Sequence, residues 1–390
     1  MKIAILQPTP FKKGHYFIYT KSLLNNLKNN QYFVKVISSM KTFSKFESEN
    51  LSTIDFNIYS LRGLIIYICL CYLAIFRLII SRNNFNRIII LDCEYSSLSI
   101  LFILLYILGW EGKITVQVNA PNFNYSYRYD GFNFFRILKF IQSYIFKYSL
   151  NLLPIKISCL GIWHKRKLAK QLSFDKNKIF VIEDGGGGLI KKIPRNFLIK
   201  KLESSAINFP KGNKKIFLLF GNMRKDKGHL FLPLIWERYF GGIDDPYLWI
   251  VGNDEQGICE HISKSISKNI IVHNSYLPYD LISAVYQTAD FAILPYMSNY
   301  SGGSGPLMKG AFTHSKLALV ANVSEMGRLA KEERLAEYFH PEDTESVICC
   351  IKRVLLNGED YYSDKIKMAN KYANERDWSN LSKKFIKSLI

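Results

Sequence analysis

The feature that most constrains the fold is a repeat of short apolar segments, each followed by a turn and a longer helical stretch. Residues 2–6 (KIAIL) form an apolar run that ends at a proline-containing turn, a helical pattern covers 16–27, and a second apolar segment occupies 33–38. Strand, loop, helix and strand within about 40 residues form a βαβ unit, and this unit implies a parallel sheet. The repeat therefore predicts an α/β protein.

The alternation continues along the chain in two series of similar size. The first predicts further strands at 87–91, 113–118, 158–160 and 179–182, and the second at 215–220, 247–251, 270–272, 291–294 and 317–320. A Pro- and Lys-rich stretch joins the two series, so we predict two Rossmann-like domains with parallel sheets that face each other across a cleft. The domains are expected at 1–195 and 205–376, followed by an amphipathic helix within 377–390.

The charge of the chain is unevenly distributed. The 52 Lys and Arg residues against 32 Asp and Glu give a net charge of +20, and residues 1–200 hold 28 basic and 10 acidic side chains, against 24 and 22 in the remainder. An excess of +18 in one half predicts a polyanionic partner for that half.

The seven cysteines include no C-x-x-C pair, which argues against a zinc site or a disulfide framework and favours a reducing compartment. The five-residue apolar run near the N-terminus is too short for a signal peptide, so we expect a cytoplasmic protein.

Three apolar segments raise the question of a membrane. Residues 64–80 are uncharged except for Arg77, and residues 98–108 are apolar throughout. The first lies at the lower edge of a spanning length and the second is too short, so helices on the sheet or at a bilayer surface are favoured over spans. In residues 132–148, Phe and Ile lie on one side with Arg136, Lys139 and Lys147 among them. This composition is typical of an interfacial helix, and a surface helix is the alternative.

Two loops in the second half carry the strongest chemical signal. FGNMRKDKG (220–228) leaves a strand and opens a helix, so that Gly221 allows a tight turn while Arg224 and Lys227 supply positive charge beside free backbone N–H groups. NYSGGSGPLMKGAF (299–312) forms a second glycine-rich turn before a helix. Two anion-binding turns, each after a parallel strand, predict a nucleotide-diphosphate site at the carboxyl ends of the strands.

These motifs make residues 215–345 similar to the donor domain of GT-B glycosyltransferases, and most closely to the large retaining family numbered four. The resemblance rests on FGNMRKDKG, YQTADFAILPY (286–296), SGGSGPLMKGAF and NVSEMGRLA, while the first half matches more weakly through the Gly14 turn and VIEDGG. It implies a nucleotide-diphosphate sugar as donor, with Arg224 and Lys227 on the diphosphate, and a last helix that crosses back to the first domain. The donor-binding residues implied are Gly14, Asn119, Gly221, Arg224, Lys227, Tyr276, Leu277, Ser301, Gly302, Gly303, Ser304, Gly305, Lys309 and Glu325.

The sequence departs from this family at its two donor-loop glutamates, whose spacing falls on Ser301 and Lys309, and at a histidine replaced by Asn119. The departure puts a retaining mechanism in question. An inverting enzyme needs a general base near the acceptor hydroxyl, for which Asp92, Glu94 and His15 are candidates, each with a cap or a surface side chain as the alternative. Glu325 either holds the donor sugar or caps its helix. Since no DxD-type acidic pair follows a strand, we expect no metal and no other cofactor.

The leading hypothesis is a cytoplasmic glycosyltransferase, peripheral at the inner face of the cytoplasmic membrane, which acts on a lipid-linked glycan acceptor in cell-surface polysaccharide synthesis. A catalytically inactive GT-B-like scaffold that binds a glycan or a lipid carrier is the alternative. A nucleic-acid-binding protein lacks recognisable reader motifs, and a nicotinamide dehydrogenase lacks the G-x-G-x-x-G turn. The donor nucleotide and sugar, the stereochemical outcome, the oligomeric state and the entry of residues 64–80 into the bilayer are left open.

Overall fold

The computed structural model describes residues 2–8, 15–38, 47–50, 61–91, 93, 95–118, 141, 144–183, 185–186, 188–254, 256–262 and 267–389. The chain divides into two compact units, one of residues 1–183 with 378–390 and one of residues 184–377. Residues 184–195, which the sequence predicts to end the first domain, belong to the second unit.

The first unit is built on a seven-stranded sheet in the order β3-β2-β1-β4-β5-β6-β7, and every neighbouring pair is parallel. The strands are β1 (Lys2–Gln7), β2 (Phe33–Ser38), β3 (Glu47–Asn50), β4 (Arg87–Ile90), β5 (Lys113–Val118), β6 (Ile155–Cys159) and β7 (Ile179–Val181). Its helices are α1 (His15–Asn29), α2 (Leu61–Ile80), α3 (Tyr95–Ile107) and α4 (Ile162–Leu172), with a helical segment at 144–149.

Side chains of alternate residues on the central strand enter two separate hydrophobic layers, as the period of two requires. Ala4 and Leu6 of β1 lie in a cluster with buried residues of α2, α3 and α4. Ile3 and Ile5 lie in the other cluster, with buried residues of α1. The sheet is therefore covered by helices on both faces, as expected for parallel strands.

The second unit contains a six-stranded parallel sheet in the order β10-β9-β8-β11-β12-β13. Its strands are β8 (Ile216–Phe220), β9 (Tyr247–Gly252), β10 (Ile270–Asn274), β11 (Phe291–Leu294), β12 (Leu317–Ala321) and β13 (Glu337–Phe339). Its helices are α5 (Arg195–Ser204), α6 (Phe231–Tyr239), α7 (Ile258–Ile262), α8 (Tyr279–Thr288), a π-helix (Pro306–Phe312), α9 (Ser324–Lys331), α10 (Thr344–Tyr361) and α11 (Ser363–Glu375). Trp236 and Trp249 are fully buried in the core of this unit.

The last helix, α12 (Trp378–Leu389), belongs to the first unit. Phe385 and Leu381 are buried in the same cluster as Leu24 of α1. The hydroxyl of Ser22 donates a hydrogen bond to the carbonyl of Trp378 (3.0 Å). The predicted return of the chain to the first domain is therefore confirmed.

The two Rossmann-like α/β units predicted from the sequence are confirmed. The apolar residues 64–80 lie in α2, of which Leu70, Ala74 and Leu78 pack in the core beneath the sheet. Within the ranges given above, no helix is long and apolar enough to cross a membrane. All seven cysteines are free thiols. Most of the segment 132–148, for which an interfacial helix is predicted, lies outside the described residues.

Candidate functional site

The strand order of the second sheet marks one place for a ligand. The chain proceeds outward from β8 to β9 and β10, then returns to β11 on the other side of β8 and continues to β12 and β13. The order thus reverses between β8 and β11. In open α/β sheets ligands bind outside the carboxyl ends of the strands at this reversal. The two loops that leave β8 and β11 are the two predicted from the sequence to bind a diphosphate.

These two loops are in backbone contact at Gly228. This residue has φ +75°, and a Cβ atom built on it would lie 2.1 Å from the carbonyl oxygen of Pro295. The N–H of Met297 donates a hydrogen bond to the carbonyl of Asp226 (3.0 Å). Only glycine allows this approach, because any side chain would separate the loops.

A second close approach orders the start of the β8 loop. Gly252 ends β9 with φ +155°, and a Cβ atom there would lie 2.0 Å from the carbonyl oxygen of Gly221. A Cβ atom on Gly221 would lie 3.4 Å from Cγ of Pro306 and 3.5 Å from Nζ of Lys227. The ammonium of Lys227 and the first residue of the π-helix therefore meet at Gly221, so the structure brings together a cation and the start of the helix that follows the second predicted turn.

Arg224 is held by an acidic residue of its own loop. Its Nε and Nη2 donate hydrogen bonds to the two carboxylate oxygens of Asp226, at 2.8 Å and 2.6 Å. About a quarter of each side chain is exposed. A bidentate pair of this kind fixes the plane of the guanidinium. A diphosphate that binds to Arg224 would have to share the guanidinium with Asp226 or replace it.

His229 lies fully buried beneath the same loop. Its Nδ1 is 3.4 Å from the backbone nitrogen of Arg224 and 3.3 Å from the backbone oxygen. Burial, together with the charge of Lys227, lowers the pKa of His229 to about 3. The imidazole is therefore neutral at ordinary pH and supports the Arg224 backbone without adding charge.

Two tyrosines brace the glycine-rich loop that follows β11. The hydroxyl of Tyr300 donates a hydrogen bond to the carbonyl of Gly303 (2.7 Å), and its ring lies 4.5 Å from that of Tyr296. The hydroxyl of Ser304 donates to the hydroxyl of Tyr296 (3.3 Å). Burial raises the pKa of Tyr296 to about 12, so the phenol stays protonated. The Lys227 ammonium lies 5.8 Å from the centre of the Tyr296 ring.

The π-helix begins at this loop and carries the half-buried Lys309. The hydroxyl of Ser304 accepts a hydrogen bond from the N–H of Leu307 (3.3 Å), and this bond caps the first turn. The Tyr286 hydroxyl donates to the carbonyl of Pro306 (3.1 Å), and its ring occupies the space where a Cβ of Gly310 would lie. π-Helical turns are rare and are frequently found at functional sites.

Glu325 lies at the start of α9 with its carboxylate against Arg328. Its Oε1 accepts a hydrogen bond from Nε of Arg328 (2.6 Å), and Nη1 of Arg328 donates to Glu333 (2.8 Å). The neighbouring Ser324 hydroxyl donates to the carbonyl of Gly302 (3.3 Å), so the start of α9 also supports the glycine-rich loop. This ion pair lies within the helix of Glu325 but is not the predicted cap, and contact with the donor sugar stays a prediction.

The remaining predicted residues comprise donor-binding residues and the three candidates for the general base. Ser301 is buried beside the glycines that precede the π-helix. Tyr276 is exposed after β10, whereas the Leu277 side chain lies in the core and leaves only its backbone for a ligand. Gly14, Asp92, Glu94 and Asn119 lie outside the described residues. His15 begins α1, and its side chain also falls outside them.

The strand order of the first sheet also reverses, between β1 and β4. Gly14 and His15 follow β1 in the sequence, and Asp92 and Glu94 follow β4. The predicted base candidates are thus connected to the two strands at which the first sheet changes direction. The order of the strands does not distinguish among His15, Asp92 and Glu94, and all three stay predictions.

Sequence reasoning missed Asp226, His229, Tyr296 and Gly252. Asp226 lies inside the loop motif and His229 directly after it. The sequence alone does not show that Asp226 binds Arg224 or that His229 lies buried beneath the loop. Across the part of the chain that the structure describes, no three His, Cys, Asp or Glu side chains are grouped so that they could hold a metal ion.

Two parallel Rossmann-like sheets, each covered by helices, together with a final helix that returns to the first unit, define the GT-B fold of glycosyltransferases. No protein-family model and no curated protein sequence matches the chain. Solved structures match it over its whole length and confirm the predicted GT-B resemblance at the level of the fold.

Three of these structures show how far the likeness to the chain extends. HepE from Anabaena in complex with UDP has a TM-score of 0.75 at 11% identity, covering 100% of this chain and 99% of its own. A glycosyltransferase from Rickettsia africae ESF-5 has a TM-score of 0.71 at 17% identity, covering 100% and 98%. WaaG, a glycosyltransferase involved in lipopolysaccharide biosynthesis, has a TM-score of 0.70 at 13% identity, covering 99% of each chain.

Proposed function

We propose that this protein is a glycosyltransferase that transfers a sugar from a nucleotide-diphosphate sugar to a glycan acceptor. The observation that carries the proposal is the meeting of Gly221, Lys227 and the start of the π-helix at the reversal point of the second sheet. The complexes of HepE with UDP and with UDP-glucose support a nucleoside-diphosphate sugar as the donor.

The chemistry that these residues supply is stabilisation of the leaving diphosphate. Negative charge develops on the diphosphate as the bond to the sugar breaks. Cationic side chains and backbone N–H groups already fixed in position lower the energy of that charge without having to reorganise. Lys227 and Arg224 supply the cations, and the turn at Ser304 supplies N–H groups at the start of a helix. We propose that the reaction needs no metal, so that transfer persists in the presence of a chelator.

The acceptor side of the proposal concerns the first unit. His15, Asp92 and Glu94 are proposed as the candidates for the general base, which an inverting reaction would need. We propose a lipid-linked glycan acceptor in cell-surface polysaccharide synthesis, with peripheral contact between the basic first unit and the anionic inner face of the cytoplasmic membrane. The +18 net charge of residues 1–200 supports this contact.

Donor binding is tested by calorimetric titration with a panel of nucleoside diphosphates, followed by a transfer assay. Lys227→Ala removes a charged hydrogen bond, which contributes about 1.5–3 kcal/mol, so we expect about 10- to 150-fold weaker donor binding. Lys225→Ala is the matched control, because it removes the same charge from an exposed position in the same loop. Absence of binding at millimolar nucleotide would refute the proposal.

A second function is a scaffold that binds a glycan or lipid carrier without turnover. The scaffold function is favoured because Ser301 and Lys309 occupy the two positions at which the family that this sequence resembles has glutamates. A scaffold would bind a nucleoside diphosphate in the titration but would neither hydrolyse nor transfer the sugar. Turnover that disappears in Lys227→Ala would exclude it.

A further inference from the structure

The helices on one face of the first sheet form a continuous layer. α2 and α3 pack side by side, and the helical segment 144–149 joins them through the rings of Phe102 and Phe146, whose centres lie 6.3 Å apart. The inner sides of these helices fill the core: Leu78, Phe102 and Phe146 are fully buried. The layer therefore needs no further apolar cover for its own stability.

The outer side of the same layer is nevertheless apolar. Phe76 and Ile80 of α2 are 63% and 66% exposed, Ile107 of α3 is 70% exposed, and Tyr106, Tyr144 and Tyr148 are all more than half exposed. We call the outer side of α2, α3 and 144–149, marked by these six side chains, the apolar platform. Of the 28 large apolar side chains exposed in the described residues, 14 lie between residues 65 and 148.

The platform is larger than the largest apolar patch of an ordinary monomer. Twelve of these fourteen side chains lie on α2, α3 and 144–149 and are 37–70% exposed. At about 150–200 Å² each, they amount to an exposed area on the order of 1,000 Å². The largest apolar patch on a typical monomer covers about 300–600 Å², and larger patches mark an interaction site. The platform is therefore a docking surface.

The charge around the platform identifies its partner. Residues 61–174, which supply these helices and α4, contain 14 Lys and Arg against 4 Asp and Glu. Arg77 lies on α2 among the platform residues, and Arg166 and Lys170 lie exposed on α4, the next helix of the layer. An apolar surface with tyrosines, in a region of the chain where basic residues outnumber acidic ones by 14 to 4, is complementary to an anionic bilayer, where rings enter the boundary of the acyl chains and cations remain at the head groups.

We propose that the apolar platform docks on an anionic lipid bilayer. α2 and α3 lie against the membrane surface, with Phe76, Ile80 and Ile107 in the boundary between head groups and acyl chains, and with the cations of α4 over the head groups. This surface rests on the proposed function for its biological role, since it would hold the enzyme beside a lipid-linked acceptor. Docking itself requires no donor and no transfer.

The test is sedimentation of the full-length protein with sucrose-loaded vesicles of phosphatidylcholine containing 30% phosphatidylglycerol (about a third anionic lipid). The triple variant Phe76→Gln, Ile80→Gln, Ile107→Gln removes three half-exposed apolar side chains, so we expect its partition to these vesicles to fall at least about tenfold. Wild-type partition should also fall severalfold on vesicles of phosphatidylcholine alone. The control Leu234→Gln, Ile243→Gln, Leu356→Gln changes three exposed apolar residues of the second unit and should bind as the wild type does.

The outcomes separate docking from catalysis. Equal vesicle binding by the wild type and the platform variant would overturn the proposal, as would binding that does not depend on anionic lipid. A platform variant that merely dissociates a dimer, with no vesicle binding by the wild type, would assign the surface to a second copy and also overturn it. Calorimetry with the panel of nucleoside diphosphates is performed on the same variants. Loss of vesicle binding with unchanged nucleotide affinity supports the platform, whereas vesicle binding without binding of any nucleotide in the panel refutes only the proposed function.

Discussion

The backbone contact between the β8 and β11 loops can be tested by Gly228→Ala. The new Cβ would lie 2.1 Å from the carbonyl oxygen of Pro295, and φ at this position is +75°. Positive φ costs an alanine about 1–2 kcal/mol, and forcing the loops apart costs about 1–3 kcal/mol more. Alanine also lowers the conformational entropy of the unfolded chain, which stabilises the folded protein by about 0.4–1 kcal/mol. The expected net loss of stability is about 3 kcal/mol.

Gly212→Ala is the matched control, because Gly212 has φ +106° and nothing lies within 4 Å of the position of its Cβ. It should lose only about 1 kcal/mol, since it carries the backbone strain without the collision. Thermal unfolding followed by tryptophan fluorescence reports on the second unit through Trp236 and Trp249.

At about 2–4 °C per kcal/mol for a unit of this size, Gly228→Ala should lower Tm by about 6–12 °C and Gly212→Ala by about 2–4 °C. Gly228→Ala should also weaken donor binding, since it displaces both loops. Equal Tm shifts in the two variants would show that the loops do not depend on each other.

Three further predictions concern single side chains. Glu325→Ala should lower the free energy of unfolding in urea by about 2 kcal/mol, because it removes a charged partner from the buried Arg328, while donor affinity stays unchanged. The pKa of His229 is about 3 in the folded protein and 6.5 ordinarily. Below pH 6.5 the imidazole is therefore protonated in the unfolded chain but still neutral in the folded protein. The free energy of unfolding should therefore fall as the pH is lowered from 6.5 to 4.5, as measured by urea unfolding at both pH values. The fall should be about 2 kcal/mol larger in the wild type than in His229→Asn. Phe385→Ala should cost about 3–5 kcal/mol by the same measurement, while the exposed Lys384→Ala should cost less than about 0.5 kcal/mol.

Each of these predictions has an outcome that contradicts it. A loss of donor affinity in Glu325→Ala without a loss of stability would show that the Glu325 carboxylate contacts the donor sugar. Parallel pH profiles of the wild type and His229→Asn would mean that the histidine takes up its proton in the folded state. If Phe385→Ala were neutral, the last helix would not contribute to the core of the first unit.

The buried strands were predictable because a parallel sheet covered on both faces needs unbroken apolar runs. β8, with the sequence IFLLF, is such a run and is buried along nearly its whole length. The edge strand β3 was missed because ESEN contains no apolar residue. α5 was missed because it lies in a stretch rich in Lys and Pro that resembles a linker, although Leu198 and Leu202, four residues apart, are its buried side chains.

For the site, the two loops were predictable from the spacing of residues in the sequence, whereas the contacts between their side chains and backbones were not. Glycines and cations after predicted strands were sufficient to indicate the two loops, because anion-binding turns need those residue types locally. The pairing of Arg224 with Asp226 depends on side-chain orientation, and the contact of Gly228 with Pro295 joins residues far apart in the sequence. Glu325 and Arg328, three residues apart on one helix, were within reach of a sequence argument.

The return of α12 to the first unit has a consequence for biosynthesis. Residues 184–377 emerge from the ribosome as one uninterrupted piece, whereas the first unit receives Leu381 and Phe385 only after all of that piece has been made. Until then, Leu24 of α1 and its neighbours lack their cover. Domains usually finish folding in the order in which they are made. Here the part made second can reach its native state first, and the nascent first unit must be kept from aggregating while nearly two hundred further residues are translated.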